Sequence, residues 1–366
     1  MWSRCGPWCS LAPMRIEENK PLVALTTLGA GGPARWFVEA RNEEDINEAA
    51  AWVREKGVAL FVLGGGSNLL VADAGFDGMV LHIGLKGIRV RESASPSDER
   101  IYEVAAGEDW DPFVQRTVDD DCAGLECLAG IPGTVGGTPV QNVGAYGQEV
   151  SSTINRVRAF DLENHVFVEF SADECEFAYR RSRFNTADGG RYVVARVDYR
   201  LKMHGAATLK YADLQKAFGP GAEPTLQDAA EAVRRIRQSK GMLLVEGDPD
   251  CHSAGSFFKN PIVSAERVAA VKRATGSEPP RFPAGPGHEG CVKLPAAWLI
   301  EKAGFMKGYA LGRAGISTKH TLALVNRGGA TAAEILLLAD NIREAVSQRF
   351  GIQLQMEPVL LGFKNF

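Results

Sequence analysis

The chain alternates between short apolar runs and one-faced helical periods. Arg35–Ala40 reads as a strand, and Asn42 caps a helical stretch over Glu43–Lys56 in which Ile46, Ala49, Ala50 and Val53 share one face before Gly57 ends it. The apolar run Ala59–Leu63 follows, closing a β-α-β unit on the run Gly64-Gly65-Gly66. From Met79 to Ala106 the spacing changes to short strands, including Arg100–Val104, and a helix is predicted over Asp111–Asp121. Residues 154–170 read as a hairpin turning near Glu163-Asn164, and Arg191–Leu201 alternates in strand fashion. Beyond about residue 204 the grain is helical, over Leu226–Lys240, Ala265–Ala274, Pro295–Ala303 and Ala332–Phe350. The last of these opens on a capping box, Thr331 with Glu334, and stops at Gly351. Ile352–Leu360 then alternates as a closing strand, and Gly276–Gly290, rich in glycine and proline, is expected to be a surface loop.

Two stretches fit neither period. Leu63-Gly64-Gly65-Gly66-Ser67-Asn68 follows a strand directly, and Gly124–Val150 holds seven glycines among 27 residues with almost no charge. Glycine permits positive φ and close approach of backbone to a ligand, and consecutive free N–H groups make a concavity suited to pyrophosphate. A single such loop is as readily a tight turn. Two of them, interleaved with Ser67, Asn68, Thr134, Gln141 and Asn142 as uncharged hydrogen-bonding groups, make a dinucleotide the default ligand. Neither loop reads GxGxxG with an acidic residue following, nor GxxxxGK before Ser or Thr, so a Rossmann fingerprint and a P-loop are set aside.

Composition narrows the class. At 366 residues and 45% hydrophobic content the chain can bury substantial cores and should divide into two or three domains. The expected division is an extension predicted disordered over 1–15, with Met14 as a candidate start, then 16–84, 85–203 and 204–366. Pro7 and Pro13 interrupt any signal-like apolar stretch. No run approaches the roughly 18 apolar residues of a membrane span, so no membrane insertion is expected. The net charge of −4 gives no basic field for nucleic acid. Seven cysteines without CxxC spacing read as reduced thiols of a cytoplasmic protein, and six isolated histidines give no metal site.

Three further segments carry candidate chemistry, each with a plainer reading beside it. Tyr179-Arg180-Arg181-Ser182-Arg183 places three arginines in four positions, suited to a carboxylate or phosphate and equally to a solvated turn. Ala254–Pro261 gathers Ser256, two phenylalanines, Lys259 and Asn260. It lacks the GxSxG elbow, so its serine is either a turn residue or a proton donor to a carbanion. Glu357 precedes Pro358 in the last strand, where an exposed glutamate is the ordinary meaning. Lys240 and His320 could each meet phosphate or simply face solvent.

GGGSN at 64–68, IPGTVGGTPVQNVGAYG at 131–147, YRRSRF at 179–184, GSFFKNP at 255–261, AAWLIEKAG at 296–304 and EP at 357–358 together resemble the UDP-N-acetylenolpyruvoylglucosamine reductase family. They occur in that family's order and cover nearly everything after residue 20. Thr208–Leu214 further resembles the tyrosine-bearing loop of the family's first type. The 279–290 stretch and the N-terminal extension match nothing that can be assigned.

The resemblance implies an α+β fold: a two-part FAD-binding domain of the vanillyl-alcohol-oxidase (PCMH) type, then a C-terminal α+β substrate-binding domain. It implies non-covalent FAD against Gly64, Gly65, Gly66, Ser67 and Asn68 and against Gly130, Ile131, Pro132, Gly133, Thr134, Gly136, Gly137, Thr138 and Gln141. NADPH would reduce the flavin and leave, and hydride would pass from flavin N5 to C3 of the enolpyruvyl ether, giving UDP-N-acetylmuramate for peptidoglycan. Arg180 would bind the substrate carboxylate, Ser256 would protonate C2, and Glu357 would hold the enol-like intermediate. Tyr211, Lys240, Asn260 and His320 would contact the UDP portion of the UDP-linked amino sugar, and a monomer is expected. Two other readings stand beside it: a FAD-dependent oxidase or dehydrogenase of a small hydroxylated substrate on the same fold, and a nucleotide-binding module without catalysis.

Overall fold

Asn42 starts the first helix as its side chain allows. In extended backbone it accepts the Asp45 N–H, and α1 (Glu43–Lys56) runs until Gly57, whose left-handed φ of 63° lets its own N–H close on the preceding turn. Ile46, Ala49 and Ala50 are buried along the expected stripe. A computed structural model of the chain describes residues 14–92, 98–285 and 287–363. The extension expected over 1–15 therefore lies almost wholly outside the described residues; the first strand, Ile16–Pro21, begins just past it.

The chain forms two compact units. The larger comprises residues up to Lys20, Ala34–Gly66 and Asp77–Arg237. One of its sheets has the order Ile16–Pro21, Pro33–Ala40, Phe76–Ile83, Ala59–Leu63, the last pair parallel. A second runs Val166–Ser171, Ile154–Asp161, Tyr192–Met203, Glu99–Ala105, Ile88–Glu92, with Cys122–Ala123 added beside Tyr192–Met203. The predicted hairpin is present: Asp161 accepts the N–H groups of Glu163 and Asn164 at its turn. Helix α2 (Trp110–Asp119) packs Trp110 and Phe113 against Tyr199, with ring centroids 5.9 and 5.2 Å away. Two helices close the unit, α3 (Ala212–Phe218) and α4 (Leu226–Ser239). Helix α3 was not predicted; only Leu214 of its seven residues is buried, so it carries little amphipathic signal.

The smaller unit takes Pro21–Pro33, Ser67–Phe76 and the chain from Gln238. Its antiparallel sheet has the order Ser253–Ser256, Ala323–Asn326, Ala314–Ile316, Ala310–Leu311. The helices are α5 (Ala265–Thr275), α6 (Ala296–Lys302) and α7 (Ala332–Phe350), and α7 begins with the expected capping box and ends at left-handed Gly351. Two expectations change. The proline-rich loop contributes a short strand, Phe282–Pro283, to a three-stranded sheet with Cys291–Lys293 and Ile262–Ser264. The closing strand is only Val359–Leu361, paired in parallel with Leu69–Val71. Upstream, Ile352 and Leu354 are buried while Gln353 and Gln355 are exposed, so the alternation is real. Among the described residues its only ladder contact is a bridge between Phe258 and Met356, and Pro358, which has no N–H to offer, separates that bridge from the parallel pair.

Among the described residues no helix is long and apolar enough to cross a membrane. Cys122, Cys127, Cys175 and Cys251 are buried and Cys291 half-buried, all as free thiols. Burial pushes the Cys175 thiol up to about 12.

Candidate functional site

The two glycine-rich loops of the larger unit are pressed together. A Cβ on Gly65 would stand 2.6 Å from Gly133 Cα, closer than side-chain carbons come, and one on Gly64 would lie 2.8 Å from Thr134 Oγ1. Thr134 is buried, and its hydroxyl finds no hydrogen-bond partner among the described residues. Such a group costs about 1–3 kcal/mol unless a ligand atom meets it. Close-packed main chain beside an unmet hydroxyl, with Gly66 and Gly130 buried and Gly64, Ile131, Pro132, Gly136 and Gln141 half-buried, fits the uncharged donor set that FAD requires.

The second loop is held from behind. Trp110 donates from its backbone to Gly133 and from its indole to Leu128, both at 3.0 Å. The Gly130 N–H donates to Asp111 Oδ1 at 2.6 Å, and the Gly130 carbonyl accepts from Arg237 Nε at 3.0 Å. Thr138 shares a 2.6 Å bond with the buried Tyr199 hydroxyl, while Gly137 is exposed with open space around it. Arg237 is a residue that the sequence reading passed over. Its guanidinium is buried, which pushes its pKa down. The available signal was its place after Leu226, Ala229, Ala230 and Val233 on the buried stripe of α4.

Arg180 occupies a strained turn. Ala178 and Arg181 exchange backbone bonds at 2.9 and 3.1 Å, which puts Arg180 at a position with φ of 55° that glycine ordinarily fills. Asn185 Nδ2 donates to its carbonyl at 3.2 Å, and Arg180 Nη2 donates to Gly144 at 2.9 Å. Arg183, by contrast, is engaged with Asp188 through Nε and Nη2 at 2.9 and 2.8 Å, and Arg181 is exposed. Asn142, missed as an anchor, donates to Ala178, and Ser182 donates to Val140, so the arginine turn is stitched to the glycine-rich segment. Tyr211 is 44% exposed and meets Tyr146 edge-on at 5.4 Å.

In the smaller unit three separated motifs meet. Ser256 ends a strand paired with Ala323, and Phe257 and Phe258 behind it are buried. The Glu357 N–H donates to Phe257 at 2.9 Å, and the Lys259 N–H donates to Gln355 at 2.9 Å. Asn68 Nδ2 donates to the Glu357 carbonyl at 3.2 Å. Ser67, Asn68, Ser256 and Glu357 are all half-buried. Glu357 is therefore not the exposed strand residue that alternation suggested, because a short bridge and the Asn68 segment border it. Thr27 steadies the base of the serine strand through a 2.6 Å bond to the Ser253 carbonyl.

Asn260 accepts the Ala296 N–H at 2.9 Å, which commits its oxygen to the start of α6 and leaves its NH₂ as a donor. His320 Nδ1 accepts the Leu322 N–H at 2.9 Å, placing the ring hydrogen of the neutral form on Nε2. Burial, with Lys240 and Lys307 adding to it, pushes this imidazole down to about 4. Lys240, half-buried, is thus near enough to His320 to act on it electrostatically. Among the described residues no cluster of side chains could hold a metal ion.

Residues 34–166 match the family described as FAD binding domain, and residues 248–361 match UDP-N-acetylenolpyruvoylglucosamine reductase, C-terminal domain. The chain is 47% identical to the UDP-N-acetylenolpyruvoylglucosamine reductase of Streptomyces coelicolor, over 97% of this chain and 93% of that protein. It is 46% identical to the reductase of the same name from Thermobifida fusca, over 95% and 98% respectively. Among solved structures, that of UDP-N-acetylenolpyruvylglucosamine reductase from Thermus caldophilus matches with a TM-score of 0.65 at 26% identity, covering 95% of this chain and 99% of that one.

Proposed function

Because this chain belongs to the UDP-N-acetylenolpyruvoylglucosamine reductase family, we propose that it reduces the enolpyruvyl ether of UDP-N-acetylenolpyruvoylglucosamine to UDP-N-acetylmuramate, with FAD as bound cofactor and NADPH as reductant. The observation that carries the reading is the Gly64-Gly65 to Gly133-Thr134 contact with its unmet buried hydroxyl. Held against Gly64–Gly66 and Gly130–Gln141, FAD would supply the hydride that C3 of the substrate receives, with NADPH as its source.

The rest falls to side chains. Hydride arriving at C3 leaves negative charge at C2 and on the adjoining carboxylate, so a cation and a proton donor are both needed. Arg180 binds the carboxylate; its strained turn and its bond to Gly144 leave the guanidinium little freedom, which suits a group that must be preorganised. The Ser256 hydroxyl gives its proton to C2. Glu357, in its protonated form, donates a hydrogen bond to the substrate carboxyl group and steadies the enol-like intermediate. Tyr211, Lys240, Asn260 and His320 take the UDP portion. Asn260 suits a phosphate because only its donor end is uncommitted to α6, and neutral His320 offers an Nε2–H.

In this reading residues 16–84 and 85–203 serve FAD and 204–366 serve the substrate. The protein acts in the cytoplasm as a monomer, on a nucleotide sugar and not on nucleic acid. An anaerobic titration tests it. NADPH should bleach the flavin absorbance, and the UDP-linked enolpyruvyl sugar should then restore it. A reduced flavin that the sugar cannot reoxidise would rule the reading out.

A further inference from the structure

The glycine-rich segment contains one carboxylate that water does not reach. Glu126 is 0% exposed, and three N–H donors from three separate stretches converge on it. The Gly124 N–H donates to Oε2 at 2.8 Å, while Gln148 Nε2 at 2.7 Å and the Thr208 N–H at 2.9 Å donate to Oε1. Burying a carboxylate is costly unless its lone pairs are met, and here the partners are spread over 84 positions of sequence, from Gly124 to Thr208.

The convergence is densest on Thr208. Beyond its N–H, its hydroxyl accepts from Gln148 Nε2 at 3.1 Å and its carbonyl from Cys127 Sγ at 3.2 Å. Burial pushes the Cys127 thiol well up, so it stays a donor at neutral pH. The Cys127 N–H in turn donates to Gln148 Oε1 at 2.8 Å, which fixes that amide's orientation.

Three residues beyond Thr208 stands Tyr211, on the threshold of the short helix α3. Its ring rests edge-on against Tyr146, which with Gly147 forms the two-residue turn between Ala145 and Gln148. A Cβ on Gly147 would lie 2.9 Å from Lys210 Cβ, so glycine alone lets this turn lie along residues 208–211. The hairpin and the tyrosine segment are therefore one assembly, pinned at its base by Glu126.

We propose that Glu126 is a positioning residue for the nucleotide-sugar substrate, acting by fixing the Thr208–Tyr211 segment. The inference rests on Tyr211 binding substrate, as proposed above. Glutamate is needed because glutamine would turn an NH₂ towards one of the three donors.

Glu126→Gln holoenzyme tests it. KM for the UDP-linked enolpyruvyl sugar should rise roughly tenfold, as for loss of a hydrogen bond to a buried charge, with FAD retained and the NADPH half-reaction unchanged. In a Tyr211→Ala background the same change should add less than about twofold, since the two act in series. Thr208→Val, which leaves Glu126 fully bonded, should show the same pattern more weakly and serves if Glu126→Gln fails to fold. A KM effect that multiplies independently of Tyr211, no KM effect, or equal damage to both half-reactions would overturn the inference. If Tyr211→Ala alone leaves KM unchanged, the substrate role of Tyr211 falls and this inference with it.

Discussion

Asn68 donates its side-chain amide to the main-chain carbonyl of Glu357 at 3.2 Å and receives the Val359 N–H on its own carbonyl at 3.0 Å. This two-way lacing ties the end of the first glycine loop to the carboxylate proposed to hold the intermediate. Glu357 is also bonded to Phe257, next to Ser256, so Asn68, Ser256 and Glu357 share one backbone framework.

Ser256→Ala should leave reduction of the flavin by NADPH intact and slow its reoxidation by substrate by about three or more decades, the value of a positioned general acid. Stopped-flow measurement of the two halves separates the outcomes, and equal slowing of both would exclude proton donation.

Gly65→Ala should cost about 1–3 kcal/mol through overpacking against Gly133 and should release FAD, read as a lower Tm and a lower visible-to-ultraviolet absorbance ratio. Gly137→Ala, with nothing within 4 Å of its added methyl, is the matched control and should fold normally. An equal loss of Tm in the two variants would mean that the loop contact does not shape the site.

The His320 imidazole, held down to about 4 from an ordinary 6.5, makes stability depend on pH. Between those values the unfolded chain binds more protons than the folded one, so this contribution is whole above 6.5 and is lost as pH falls towards 4. The wild-type protein should therefore lose more Tm than His320→Gln between pH 7 and pH 4. Parallel curves would show that the ring titrates normally.

Arg237→Met removes the charged bond to the Gly130 carbonyl, worth about 1.5–3 kcal/mol, and should loosen the flavin loop. A lower Tm together with weaker FAD binding by fluorescence titration is expected. Unchanged FAD affinity would leave Arg237 a packing residue only.

Where structure follows from adjacent residues, it was legible. Asn42 and Gly57 bound α1, and Thr331 and Gly351 bound α7, because caps are local chemistry. The strand expected from Ile352 was shortened by a partner, Leu69–Val71, almost 300 positions away, which no local alternation reports. Helix α3 escaped because its faces hardly differ in burial. Arg180, Ser256 and Glu357 stood out through their motifs, whereas Glu126, Asn142 and Arg237 act by bonding to main chain elsewhere. Glu126 is a lone charge on an otherwise apolar stretch, and Arg237 continues the apolar stripe of α4.

The parallel pairing of Val359–Leu361 with Leu69–Val71 sets a timetable for biogenesis. At ordinary translation speeds roughly 15–60 s separate synthesis of those two strands. Until Leu361 emerges from the ribosome, Leu69–Val71 presents an apolar edge without its mate, inviting aggregation or chaperone capture. Shortening the chain by only a handful of residues before Leu361 should therefore harm yield far more than its length suggests.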